Sequence, residues 1–156
     1  MAGPRVVVVS VGRLGRDGPV ASAVRDYEAR AGRYWSLTSV EVRQEPARSL
    51  PVDSVRAREW TRLADALSTA AADEVVVCDE RGASMTSPAF ASWLSSRRSV
   101  AFVIGGAFGL PADARSSASS VLSLAPWTLP HDLARLVLAE QLYRAGTIVR
   151  GEPYHK

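Results

Sequence analysis

The chain closes with "GEPYHK", Gly151 to Lys156, which sets a Tyr, one of its two histidines and its only Lys at the very end. Terminal residues are ordinarily frayed and free to vary. Tyr154 and His155 have a purpose there if the tail reaches into a site. Upstream, His131 and Arg135 stand four apart, so a helix would put them on one face. Arg144 follows Glu140 at the same spacing, which also fits a plain intrahelical ion pair. "VIGGAFGL" arranges Gly105, Gly106 and Gly109 as GGxxG. Such glycines let backbone approach a ligand closely or take a positive φ. The spacing is neither GxGxxG nor a phosphate loop, because no GK[ST] follows; a purely structural turn fits it as well. In "LSLAPWTLPHDLAR", Pro126 and Pro130 hold an extended loop ahead of a helix. Unpaired backbone N–H and C=O groups in such a loop suit the edge of a purine. "CDERGASMTS" sets Asp79 and Gly82 behind an apolar run, where Asp79 reads most simply as a turn former.

The elements that must position these residues follow from periodicity. "RVVVVSV" is a continuous apolar run, expected for a strand buried on both faces. "DGPVASAVRDYEARAGRYW" carries Val20, Val24 and Tyr27 at helical spacing, with Gly32 as a stop. "SLTSVEV" reads as a strand. "PVDSVRAREWTRLADALSTAAA" reads as a helix capped near Asp53. "DEVVVCD" is a third strand, ending at Asp79. "SPAFASWLSS" is a helix with Ser87 as its cap and Pro88 at its first position. "SVAFVIGG" is a fourth strand, "LPADARSSASS" a short helix and "VLSL" a brief fifth strand. "HDLARLVLAEQLYRAGTIV" is the longest helix. The alternation predicts an α/β fold with a mostly parallel sheet flanked by helices. Ligands in such sheets sit outside the carboxyl ends of the strands. The loops after Cys78, Ile104 and Leu124 are therefore the informative ones.

The totals bound the reading. At 156 residues and 47% apolar composition, residues 1–156 are expected to form one domain, with no stretch composed as a linker. No apolar run approaches a membrane span, and the first residues read as a strand, not a leader. A lone Cys78 excludes an internal disulfide framework and suits a reducing, cytoplasmic compartment. Besides Cys78 there are only His131 and His155, so no metal site is expected. The net charge of +3 is a mild bias toward polyanions, carried almost wholly by Arg. Arg forks pair with phosphate and stack on bases, although a GC-rich genome would enrich Arg as well.

Taken together, the glycine loop, the last helix and the tail resemble the bacterial large-subunit rRNA pseudouridine N3-methyltransferases of the SPOUT superfamily. That family's pattern is roughly IGGxxG, then S-x-x-x-x-T-x-PH-x-x-x-R-x-x-x-x-EQ-x-YRA, then a terminal PYH. Here it falls on Gly105, Gly106 and Gly109, then Ser123, Thr128, Pro130, His131, Arg135, Glu140, Gln141, Tyr143, Arg144 and Ala145, then Pro153, Tyr154 and His155. "VGRL", "DYEARAGRY" and "CDERGASMTSPAFA" extend the match to the front half. Ala107 and Phe108 fill the variable pair where polar residues are usual, and Cys78 stands where Leu is common.

The resemblance implies a SPOUT fold with a C-terminal deep trefoil knot, S-adenosylmethionine as cofactor, a homodimer, and ribosomal RNA or the assembled ribosome as partner. Carried over residue by residue, it implies cofactor contacts at Cys78, Gly105, Gly106, Gly109, Leu124, Ala125, Pro126, Trp127, Thr128 and Leu129. It implies catalytic roles for His155, Tyr154, Arg144 and His131. Tyr154 and His155 would close over the methyl donor near the dimer interface, with His155 nearest the base, His131 as a positioner and Arg144 on a phosphate or the developing imide anion. The residues leave two alternatives open: a SPOUT enzyme redirected to another RNA or a small molecule, and a non-catalytic RNA- or nucleotide-binding α/β module.

Overall fold

The computed structural model describes residues 3–46 and 48–156. Strand and helix alternate as β1 (Arg5–Val11), α1 (Pro19–Ala31), β2 (Ser36–Val42), α2 (Val52–Ala70), β3 (Glu74–Ala83), α3 (Ser87–Ser95), β4 (Ser99–Ile104), α4 (Ala112–Ser117), β5 (Ser120–Leu122) and α5 (His131–Arg150). The strands form one sheet in the order β2-β1-β4-β3-β5. Each pairing is parallel. All the strands therefore end at one edge, and every connection has to cross a face of the sheet.

Those crossings explain the apolar runs. β1 lies between β2 and β4, so its valines meet helices on both faces. Val6 and Val8 pack with Phe102, Leu94, Leu138 and Leu142, under α1, α3 and α5. Val7, Val9 and Val11 pack with Leu63, Val103 and Ala114, under α2 and α4. The period of two along a strand divides one valine run between two cores. Deep in the first core, the Trp35 indole N–H donates to the Leu142 carbonyl at 2.7 Å.

Several boundaries differ from expectation. The cap of α2 is Pro51, not Asp53; Asp53 lies in the first turn, where its charge complements the helix dipole. The cap of α3 is Thr86, not Ser87: the Thr86 hydroxyl accepts from the Ala89 N–H at 3.2 Å. Ser87 is thereby freed to donate to Gln141 of α5 at 2.7 Å. β3 does not stop at Asp79. It runs on to Ala83 through an irregularity in which both Cys78 and Ala83 oppose Leu122. α5 ends at Gly151 in the left-handed region, with φ of 68°. The Glu152 N–H then returns to the Thr147 carbonyl at 2.9 Å. This glycine-dependent turn reverses the chain and lays the tail back along its own helix.

Candidate functional site

At the carboxyl edge of the sheet, a cavity of about 690 Å³ opens between the ends of β3 and β4 and the segment after β5. Cys78, Gly105, Gly106, Gly109, Leu124, Ala125, Trp127, Thr128 and Leu129 all line it; Pro126 does not. Three loops far apart in sequence meet here because parallel strands deliver them to one edge. Thr128 donates to Glu80 at 2.5 Å, tying the third loop to the first. Among the described residues no protein acceptor engages the backbone N–H groups of Ala125, Trp127 or Leu129.

The glycine loop is built by close approach. A Cβ on Gly105 would lie 2.8 Å from the Leu110 side chain and 3.2 Å from the Gly109 backbone. A Cβ on Gly106 would lie 2.7 Å from a Glu59 carboxylate oxygen. The Gly109 N–H closes the turn on the Gly106 carbonyl at 3.0 Å. Arg56 donates to the Phe108 carbonyl at 2.7 Å, which fixes the rim. Across the mouth stands Trp127, 78% exposed.

The wall is polar on one side and apolar on the other. Asp79 does more than form a turn: it accepts from the Arg81 N–H at 2.9 Å and from Arg115 of α4 at 3.3 Å. Burial pushes the Cys78 thiol up to about 12, so it stays protonated and is a wall atom, not a nucleophile. His131, the first residue of α5, lines this cavity and also a smaller one of about 250 Å³ between α5 and the β1–α1 connection. Arg135, one turn on, is 5% exposed and committed to Glu28 of α1 at 2.9 and 3.3 Å. Of the pair that shares a face, His131 stands at the site and Arg135 joins two helices.

The other expected catalytic residues gather elsewhere. Arg144 donates to Glu140 at 2.6 and 3.0 Å, so the plain intrahelical pair does form. It also contacts His155 Nδ1 at 3.1 Å. A guanidinium only donates, so Nδ1 is the acceptor and the imidazole N–H is at Nε2. Tyr154 donates to Glu140 at 3.0 Å, and its ring meets Tyr143 edge-on at a centroid distance of 4.6 Å. Burial, then hydrogen bonds with Tyr27 and Glu140, push the Tyr154 phenol well above its ordinary value. It is a neutral donor, not a base. Arg144, Tyr154 and His155 are absent from the walls of this chain's own cavity. Arg144 stands thirteen positions along the helix from His131, roughly 20 Å at 1.5 Å per residue.

Sequence reasoning missed Glu59 and underrated Glu140. The i, i+4 spacing pairs Glu140 with Arg144, and the structure brings the Tyr154 hydroxyl to the same carboxylate. Glu59 had a signal: it lies four residues from both Val55 and Leu63, the buried stripe of α2. A carboxylate on an apolar stripe is a structural anomaly.

Comparison with known proteins agrees with this geometry. The family profile described as "Predicted SPOUT methyltransferase" matches residues 5–155. A protein of Gemmatimonas aurantiaca named "Ribosomal RNA large subunit methyltransferase H" is 56% identical over 97% of this chain and 99% of its own. One of the same name from Anaeromyxobacter sp. strain Fw109-5 is 45% identical, covering 97% and 99%. Among solved structures, a probable methylase family protein from Haemophilus influenzae Rd KW20 superposes with a TM-score of 0.54 at 14% identity, over 99% of this chain and 71% of that one. The SpoU methyltransferase AviRb from Streptomyces viridochromogenes, solved with the cofactor AdoMet, gives a TM-score of 0.50 at 15% identity, over 98% and 61%. The chain belongs to the SPOUT methyltransferase family, whose methyl donor is S-adenosylmethionine. The residues present suit that donor: the cavity has the size of a cofactor site, glycines line it, and Ala125, Trp127 and Leu129, whose N–H groups have no acceptor among the described residues, line it too.

Proposed function

We propose that this enzyme methylates N3 of a pseudouridine in large-subunit ribosomal RNA and works as a homodimer. The reading of the substrate is supported by the relative at 56% identity across nearly the full length of both chains. The reading of the dimer is supported by one observation: in a single chain the tail cluster lies about a dozen residues of helix from the cavity it is expected to serve. A second copy can bring its Tyr154, His155 and Arg144 to that cavity mouth, whereas the chain's own tail is held on α5.

S-adenosylmethionine, when bound, supplies an electrophilic methyl group on a sulfonium sulfur. Cys78, Gly105, Gly106, Gly109, Leu124, Ala125, Trp127, Thr128 and Leu129 would hold it, largely through backbone. Trp127 and Phe108 offer aromatic faces at the rim for an unstacked base, and such stacking is worth ~1–3 kcal/mol per base. Arg144, already charged and held by Glu140, is placed to meet the developing imide anion or a phosphate. Tyr154 offers a hydroxyl that keeps its proton. Orientation of the two reactants supplies a large part of the acceleration in such a site.

The knot belongs to the same proposal. The segment before α5 runs against the β3 excursion, since the Ser123 N–H donates to the Ala83 carbonyl at 2.9 Å and Thr128 to Glu80. α5 then packs back across the sheet on α1 and α3, the course a threaded C-terminal segment would take. Mass mapping of ribosomal RNA from a strain lacking the gene tests the function: one methyl group is expected to vanish from one pseudouridine and return on complementation. An unchanged map removes the substrate assignment.

A further inference from the structure

We propose that Asp79 and Arg115 form the subsite for the amino-acid end of the cofactor, Arg115 taking its carboxylate and Asp79 its ammonium group. The proposal rests on the larger cavity being the S-adenosylmethionine site, and it assigns one end of that molecule to one wall. It starts from an ion pair that leaves a donor edge unused. Arg115 reaches Asp79 Oδ2 through Nη1 at 3.3 Å, and the same nitrogen donates to the Leu110 carbonyl at 3.3 Å. Its Nε and Nη2 have no acceptor among the described residues. Together those two nitrogens make an edge that grips a carboxylate through parallel bonds.

Elsewhere in the fold that edge is occupied. Arg98 sets Nε and Nη2 on Asp73, both at 2.9 Å. Arg135 sets them on Glu28 at 2.9 and 3.3 Å. Arg115 differs from both, and it stands in a cavity wall beside Asp79. Their side chains are 24% and 15% exposed, so the wall holds both of them. A charge that is partly buried is screened less by solvent and salt than one on the surface.

The other charged groups of the cavity suit the task less well. Arg56 commits Nε to the Phe108 carbonyl at 2.7 Å and Nη1 to Asp53 at 3.5 Å. Arg81 is exposed. Glu80 accepts from the Thr128 hydroxyl. Asp79 keeps acceptor capacity: Oδ1 takes the Arg81 N–H at 2.9 Å and Oδ2 takes Arg115. A carboxylate offers about four lone-pair sites, so some stay open to an ammonium group.

The ligand's own chemistry selects this wall. At neutral pH the amino-acid end of S-adenosylmethionine carries a carboxylate and an ammonium group on one carbon. Two opposite charges side by side are met by two opposite charges side by side. Asp79 of β3 and Arg115 of α4 offer that arrangement. The adenosine end has different needs, an apolar surface and donors or acceptors along the purine edge. Ile104, Leu110 and Leu124 supply the first, and the backbone of Ala125, Trp127 and Leu129 the second.

The test uses ligands that differ at that end alone. S-adenosylhomocysteine carries both charges, its decarboxylated analogue the ammonium group, and 5′-methylthioadenosine neither. Titration calorimetry measures each on wild type, Arg115→Met and Asp79→Asn. Wild type is expected to bind S-adenosylhomocysteine about tenfold or more tighter than the decarboxylated analogue, the scale of a charge-assisted pair. Arg115→Met should close that gap and leave methylthioadenosine within about twofold of wild type. Asp79→Asn should narrow the gap between the decarboxylated analogue and methylthioadenosine. A gap that survives Arg115→Met overturns the proposal, and so does equal weakening of all three ligands, which marks a purely structural pair. Unchanged affinities with a raised KM for ribosomal RNA would put an RNA phosphate on Arg115 and overturn it too. Should Arg115→Met not fold, wild type decides: equal affinity for S-adenosylhomocysteine and its decarboxylated analogue overturns the subsite. A wild type that binds none of the three would remove the cofactor from this cavity, and the subsite with it.

Discussion

The two ends of α5 are built by opposite means. At its amino end, the cavity is made of backbone: glycines at 105, 106 and 109, and an extended loop whose Ala125, Trp127 and Leu129 N–H groups have no acceptor among the described residues. At its carboxyl end, the tail cluster is made of side chains. Tyr27, Tyr34, Tyr143 and Tyr154 pack ring against ring, while Arg144 lies 4.8 Å over the Tyr154 ring. A backbone site is shaped by the path of the chain and does not yield to rotamer changes. A side-chain cluster can be handed to another surface whole. The contrast fits the proposed dimer, in which each chain would build one cofactor site for itself and lend its tail cluster to a second copy.

The sharpest way to break that division is to remove one half of it. Deleting Tyr154 to Lys156 is expected to cut kcat by at least ~100-fold, the scale of a reactive group set out of place, because Arg144 loses the His155 and Tyr154 contacts that hold it. S-adenosylmethionine affinity should move by less than about tenfold, or 1.4 kcal/mol, in titration calorimetry. Mixing this variant with Gly105→Val sharpens the comparison. In a randomly exchanged dimer, half the molecules are mixed and each has one complete site of two, so roughly a quarter of wild-type activity should return. No recovery would mean that tail and cavity do not act in trans.

Gly105→Val attacks the other end. Its side chain would strike Leu110 and the Gly109 backbone before reaching any ligand, so the loop itself must shift. Cofactor affinity is expected to fall by about 100-fold, equivalent to ~2.7 kcal/mol, while the tail cluster and its Tyr154 resonances stay in place.

The smallest effect on function lies at the amino edge of the sheet, away from both ends of the comparison. There a hydrogen bond from Arg98, then one from Ser99, holds the Asp73 carboxyl down to about 2, against an ordinary 3.8. A carboxyl lowered by folding stabilises the protein above its unfolded value and loses that contribution as pH falls through the folded one. Asp73→Asn should therefore flatten the fall in Tm between about pH 4 and pH 2, with methylation and cofactor binding unchanged at neutral pH.

Local rules carried much of the fold. "RVVVVSV" became β1 with the expected bounds, and Gly105, Gly106 and Gly109 line the cavity that their loop position predicted. Caps were less legible: Thr86 outcompeted Ser87 because a cap is decided by which hydroxyl meets the third N–H, a matter of one dihedral angle. The run of β3 past Asp79 was hidden because β5, more than thirty residues on, holds it in the sheet.

The sequence by itself determined the alternation of strand and helix, the glycine- and proline-shaped loops, and the family to which their combined spacing belongs. Each of these is written within a few residues, where steric limits on φ and ψ and a period of two or 3.6 act directly. Only the tertiary structure decided that one valine run serves two cores, that Glu59 is buried against Gly106, that His131 stands between two cavities, and that the tail lies on α5 instead of over its own chain's site. Those outcomes depend on which distant segments come to share one sheet edge, and no local period encodes that.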